Sequence, residues 1–122
     1  MTVLPADHYA FEIKFQVNPE DIDDLKHVNN VVYLQWVQDA AEAHWKSASD
    51  EAMRKNCKWV VLKHEINYHA PALARDEIIA STWVEKPEGP KQIRHVSIRR
   101  AADGKVLALA KTTWCLLDPL TG

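Results

Sequence analysis

The sequence predicts an α+β fold in which a curved antiparallel sheet of about five strands wraps one long central helix. Three features predict it: an early segment that alternates apolar and polar residues, one long apolar segment free of Gly and Pro, and a β-rich second half divided by turn residues. Strands that follow a single helix in a run place that helix on one face of an antiparallel sheet.

The elements follow in order. In residues 10–17, AFEIKFQV, the side chains Phe11, Ile13, Phe15 and Val17 alternate with polar or small ones, the period of a half-buried strand. Residues 31–48, VVYLQWVQDAAEAHWKSA, follow a short polar junction. Their polar residues Gln35, Gln38, Asp39, Glu42 and Lys46 step by three and four, so they form one narrow stripe on a helix. A helix apolar over the rest of its circumference is enclosed by other structure, which makes this one central. A short polar helix is expected at residues 50–56. Strands are expected at residues 59–69, 77–86, 92–100 and 105–117, arranged as a meander. Their connections carry turn chemistry: Pro71, the PEGP segment around Gly89, and the Asp103-Gly104 pair. No repeat or linker interrupts residues 1–122, so a single domain is expected. The free sheet edges invite a second copy, giving a homodimer or a dimer of dimers.

Composition narrows the function. A 122-residue chain buries roughly two-thirds of its unfolded surface, enough for one core. A formal net charge of -2 gives no general attraction to nucleic acid or to an anionic membrane, so neither is an expected partner. Cys57 and Cys115 are too few for a disulfide scaffold and lack the spacing of a redox or zinc motif, and they read as reduced thiols. No run approaches roughly 18 apolar residues, and the first residues lack a basic segment followed by an apolar one; a cytoplasmic protein is expected. No G-x-S-x-G elbow or phosphate-cradling glycine loop is present. The histidines of HEINYH, His64 and His69, are five apart and face opposite sides of a strand, so one metal cannot take both. Neither metal nor cofactor is expected.

The junction DIDDLKHVNN, residues 21–30, holds more hydrogen-bonding groups than a helix start requires. Read with the helix and strands around it, it resembles the hotdog-fold acyl thioesterases over nearly the whole chain. Two branches are similar: the 4-hydroxybenzoyl-CoA thioesterase-like family, with D-x-D-x-x-G-H-V, and the acyl-ACP thioesterases, with D-x-D-x-x-x-H-V-N-N-x-x-Y. Asp21, Asp23, His27, Val28, Asn29, Asn30 and Tyr33 fill the second pattern. Leu25 stands where the acyl-ACP branch often has Asn, and Lys26 where the other branch has Gly, so the branch stays open. The segments INYHAPALARDEI and DGKVLALAKTTWCLLD are similar to later parts of the same fold.

The resemblance implies hydrolysis of an acyl-CoA or acyl-ACP thioester to free acid and thiol, without a cofactor. Such chemistry needs an activated water or a nucleophile, and donors for the oxyanion. Asp23 aligns with the family's functional carboxylate and is the expected general base or nucleophile. His27 is expected to orient it or the water, and Asn29 to hold the carbonyl or fix the loop. The helix beginning near Asn29 or Asn30 offers unpaired N–H groups to the carbonyl oxygen. Asn30, Val31 and Tyr33 are expected to contact substrate, and Trp36 to line an acyl pocket. The other tryptophans, Trp45, Trp59, Trp83 and Trp114, read as core or interface anchors. Asp39 and Glu42 are alternative carboxylates, because one hotdog branch places its acid on the central helix. His64 shares a strand face with Val60, Leu62, Ile66 and Tyr68 and is expected either in the core or at an acyl pocket shared across a dimer. Arg99 and Arg100, with Lys91 and Arg94, either guard a solvated edge strand or pair with CoA phosphates. Turn and cap roles compete for Asp21, Asp24, Asn29 and Asn30. Two other functions fit the same fold: a non-catalytic acyl-binding module and a hydratase or dehydratase.

Overall fold

The computed structural model describes residues 11–117. Ala10 and the residues after Leu117 lie outside that range. The elements are β1 (Phe11–Gln16), a 3-10 turn (Pro19–Asp21), α1 (Asn30–Ala48), α2 (Glu51–Asn56), β2 (Lys58–Tyr68), β3 (Glu77–Val84), β4 (Lys91–Arg100) and β5 (Val106–Leu117). The expected elements are therefore present, with ends displaced by one or two residues.

The strands form one five-stranded sheet in the order β1-β3-β4-β5-β2, with every neighbouring pair antiparallel. The expected four-strand meander is corrected here. Only β3, β4 and β5 form a meander, while β2 lies beyond β5 at the far edge. The antiparallel pairings make β1 and β2 run in the same direction, and strands of like direction need a long crossover. The 19 residues of α1 span about 28 Å at 1.5 Å per residue. Crossing four strand spacings takes only about 19 Å, so α1 carries the chain from one edge to the other.

The core lies between α1 and one face of the sheet. Tyr33, Trp36, Val37 and Ala40 descend from the helix onto Ile78, Ala80, Val96, Ile98, Ala108 and Ala110. Alanines at the contact let the helix backbone approach closely, and α1 packs chiefly on β1, β3 and β4. The β5 and β2 side of the sheet is correspondingly less filled beneath it.

Two irregularities set which side chains face the helix. Between Val61 and Lys63 the β2–β5 register slips, leaving Leu62 without a partner on β5. This β-bulge changes the phase of the strand. His64, Ile66 and Tyr68 pair with Thr112, Ala110 and Ala108, and on the other side of the bulge Trp59 and Val61 pair with Leu116 and Trp114. The face expected to join His64 to Val60 and Leu62 is therefore broken at Leu62. At the β4–β5 hairpin, Gly104 takes φ +71°, in the left-handed region that glycine adopts freely, and its N–H donates to the Arg100 carbonyl at 2.8 Å.

Candidate active site

The crowded junction folds as a small closed loop against the start of α1. Asp21 accepts the Asn18 N–H on its carboxylate at 3.2 Å, and its carbonyl accepts the Asn29 N–H at 2.9 Å. Asp23 closes the turn that follows. Its Oδ1 accepts the backbone N–H groups of Leu25 at 2.9 Å and His27 at 3.2 Å, while Lys26 occupies the left-handed region at φ +68°. Asn29 is the N-cap of α1, and its Oδ1 accepts the Val31 N–H at 3.1 Å. Asp21 and Asn29 thus have structural duties in the turn and at the helix cap.

Several groups at this junction have no hydrogen-bond partner among the described residues, and two of them belong to residues that share a cavity. Asp23 Oδ2 has no hydrogen-bond partner among the described residues. The Asn30 N–H, in the first turn of α1, also has none among them. Both residues line a cavity of about 440 Å³, together with Leu25, His27, Val28, Asn29, Tyr33, Tyr68, Ala70 and Pro71. Asp23 and the first turn of α1, at the positive end of the helix, therefore border one space.

Tyr33 supports that space from below. Its buried hydroxyl accepts the Ala72 N–H at 2.8 Å, and burial raises its pKa above the ordinary tyrosine range. Tyr68 reaches over from β2, where its hydroxyl donates to the Asn30 carbonyl at 3.3 Å. The Val28 N–H donates to the Ala72 carbonyl at 3.0 Å, tying the loop to the β2–β3 crossover.

A second cavity, of about 340 Å³, lies under the C-terminal half of α1 and is lined by Gln38, Ala41, Glu42, Trp45, Trp59, Val84, Gln92, Arg94 and Trp114. Its sheet wall is drawn from β2, β3, β4 and β5. Among the described residues, no group of three or more His, Cys, Asp or Glu is gathered for a metal ion.

Residues 17–121 match the profile of the Thioesterase-like superfamily. The chain belongs to that superfamily. This thioesterase-like chain is 26% identical over 112 residues to the long-chain acyl-CoA thioesterase FadM of Escherichia coli (strain K12), covering 88% of this chain and 83% of the relative. Among solved structures it is similar to the probable thioesterase YbaW from Escherichia coli, with a TM-score of 0.80 and 27% identity over 88% of this chain and 82% of that one. It also shares its fold with Slr0204, a 1,4-dihydroxy-2-naphthoyl-CoA thioesterase from Synechocystis. That match has a TM-score of 0.79 at 21% identity and covers 90% of this chain and 83% of that one. The hotdog arrangement implied by the motif is therefore the fold of this thioesterase-like chain. Among its described residues, no helix is long and apolar enough to cross a membrane.

Several other expected site residues lie elsewhere. Val31 is 71% exposed on the outer side of the first helical turn and lines neither cavity. Trp36 is 5% exposed and sits in the core against Phe15 and Tyr33, with ring centroids 5.2 and 5.0 Å away, and it lines neither cavity. One helical residue turns the chain by about 100°, and the wide apolar face of α1 gave no phase from which to choose between these directions. Asp39 is exposed and accepts from Gln35 at 2.8 Å, while Glu42 pairs with Lys46 at 3.0 Å beside the second cavity. His64 lines neither cavity; its Nδ1 lies 2.9 Å from Thr112 Oγ1.

The two arginines expected to meet CoA phosphates are already engaged. Arg99 points to the sheet face away from α1, where it donates to Glu12 at 3.0 Å and Ser81 at 3.2 Å. Arg100 donates to Asp76 and Asp103, both at 3.0 Å, and to the Pro71 carbonyl at 2.9 Å. It clamps the crossover that walls the first cavity. Arg100→Met is expected to lower unfolding stability by about 1–3 kcal/mol while leaving the salt dependence of KM unchanged. Denaturant melts and KM at two ionic strengths check this, and a salt slope that drops in the variant would reverse the assignment.

Residues missed in the sequence are Tyr68, Ala70 and Pro71 in the first cavity and the tryptophan group of the second. Only the fold brings β2 and the crossover beside the motif. Two of the partly buried histidines, His44 and His64, give a pH dependence. Burial, and for His44 also the nearby Arg94 charge, hold both His44 and His64 below the ordinary histidine pKa of 6.5. The unfolded chain then binds protons first, so their stabilisation is complete above about pH 6.5 and falls as pH drops toward the folded values. Thermal melts at about pH 7.5 and about pH 5.5 should show the lower Tm in acid, and a smaller difference in a His44→Gln, His64→Gln double variant. An undiminished difference there would assign the effect to other groups.

Proposed function

We propose that the protein hydrolyses acyl-CoA thioesters to free acid and CoA at the cavity beside the N-terminus of α1. The observation that carries this is that Asp23 and Asn30, one with an unpartnered carboxylate oxygen and the other with an unpartnered N–H among the described residues, line one cavity in a chain of the thioesterase-like superfamily. The similarity to FadM supports an acyl-CoA rather than an acyl-ACP substrate.

In this reading the thioester carbonyl oxygen lies toward the Asn30 N–H. That group and the helix dipole stabilise the negative charge that develops there. Asp23 accepts a proton from water as the water oxygen bonds to the carbonyl carbon. Collapse of the tetrahedral intermediate breaks the C–S bond, and the thiolate takes up a proton as it leaves. A direct attack by Asp23 would form an anhydride that water then opens, with the same products. His27 lies beside the reacting groups and orients them, and Asn29 preserves the helix start on which the oxyanion site depends.

A second copy completes the site. Leu25, Val31, Tyr68 and Leu73 are exposed around the cavity, and β2 is a free sheet edge beside it. A homodimer that covers this region would exclude water from the reacting bond. Thiol release from a panel of acyl-CoAs tests the activity. Absence of release with every acyl group, in a protein that binds them, would identify an acyl-binding module instead. Light scattering tests the dimer, and a monodisperse monomer at micromolar concentration would refute it.

A further inference from the structure

The second cavity is lined by a half-buried cation, Arg94, that has no carboxylate partner among the described residues. Arg94 Nη1 donates to Thr82 Oγ1 and lies against His44 Nδ1, both at 2.9 Å. Neither partner is a carboxylate. Arg99 and Arg100, on the same strand, are both paired with acids. His44 is stacked on Phe11 at 5.2 Å, and burial favours its neutral form. Arg94 therefore has only neutral partners among the described residues, and burial pushes its pKa down to about 10. A charge removed from water is costly until it is paired.

A second donor on the same cavity is also unpaired. The Nε1–H of Trp114 is buried and has no partner among the described residues. Nearly all buried polar groups in folded proteins are satisfied, so such an orphan calls for an acceptor. The remaining wall is mainly apolar and aromatic: Trp45 and Trp59 meet edge to face at 6.2 Å, and Val84 and Ala41 complete it. Glu42 also lines the cavity, and its carboxylate is engaged by Lys46 at 3.0 Å in an exposed pair. The volume of about 340 Å³ is that of a small ligand pocket.

Position says which part of a substrate arrives there. Ala41 lies about 17 Å along the helix from Asn30 at 1.5 Å per residue. A thioester held at the helix N-terminus reaches this cavity with one of its two long arms. A wall built mainly from Trp45, Trp59, Trp114, Val84 and Ala41 suits the acyl arm better than the polyanionic CoA arm. We propose that the cavity receives the far end of the acyl arm and selects acyl groups that carry a carboxylate there, bound by Arg94 and the Trp114 N–H. The inference rests on the thioesterase reading above and adds the substrate class.

Matched CoA thioesters test it: a chain-length series of saturated acids, each paired with its α,ω-dicarboxylic counterpart. At the length that reaches the cavity, kcat/KM should favour the carboxylate-ended substrate by about 10-fold to 100-fold. Arg94→Met should bring that ratio toward one, and Trp114→Phe, which keeps the ring and removes the N–H, should lower it. A wild-type enzyme that shows no preference at any length, or a preference that survives Arg94→Met, overturns the proposal and leaves thioester hydrolysis standing. If no thioester is cleaved, the hydrolase reading fails, and the cavity is then read by tryptophan fluorescence with free dodecanedioate. Quenching that Arg94→Met abolishes supports the pocket, and no quenching in the wild type refutes it.

Discussion

Asp23→Asn is expected to lower kcat for acyl-CoA hydrolysis by about 100-fold to 10,000-fold, the range associated with loss of a general base, with little change in the fold. Asparagine keeps a side-chain oxygen for the Leu25 and His27 N–H groups that Asp23 Oδ1 accepts. What it removes is the charge and the proton-accepting Oδ2. Asp23→Ala would remove the turn closure as well, so the asparagine variant is the cleaner test. Thiol release followed by a thiol reagent gives kcat, and circular dichroism reports the fold. Turnover close to wild type in a folded Asp23→Asn variant would remove Asp23 from the chemistry and return attention to Glu42 or Asp39 on the helix.

The second large effect is structural and acts on the same site. Tyr33→Phe deletes the acceptor for the Ala72 N–H in surroundings where both residues are almost completely buried. An unsatisfied buried donor costs about 1–3 kcal/mol. The Ala72 carbonyl holds the Val28 N–H, so loosening residue 72 also loosens the loop that carries Asp23 and His27. The expected result is a lower denaturation midpoint with an unchanged m-value, accompanied by a reduced kcat. An unchanged midpoint would mean that the crossover is held by Arg100 alone.

The readable parts of the chain were those whose physics is local. The alternation of Phe11, Ile13 and Phe15 marked β1, and the unbroken segment before Ala48 marked α1, because backbone periodicity repeats every few residues. Asp23, His27, Asn29, Asn30 and Tyr33 came together for the same reason: one short loop and one helical turn hold them all. Tyr68 and Pro71 stayed hidden because they reach the site only through the crossover that sends β2 to the far edge. The partners of Arg99 and Arg100 stayed hidden for a different reason. They are adjacent on a strand whose two faces meet different partners, Glu12 on one side and Asp76 on the other, and charge in the sequence does not say which acids lie within reach. Trp59 and Trp114 looked like anchors, and the vacant space they share became visible only with the helix seated on the β1, β3 and β4 side.

The slip at Leu62 has a bearing on how this chain can vary. A β-strand normally tolerates no change in length, since losing one residue turns every following side chain over. In β2 one residue is spare. Deleting Leu62 would leave Trp59 and Val61 facing the helix and His64, Ile66 and Tyr68 where they are, with the strand merely straightened. The wall of the tryptophan cavity and the wall of the cavity beside Asp23 are thus joined by a segment that can shorten by one residue without exchanging inside for outside.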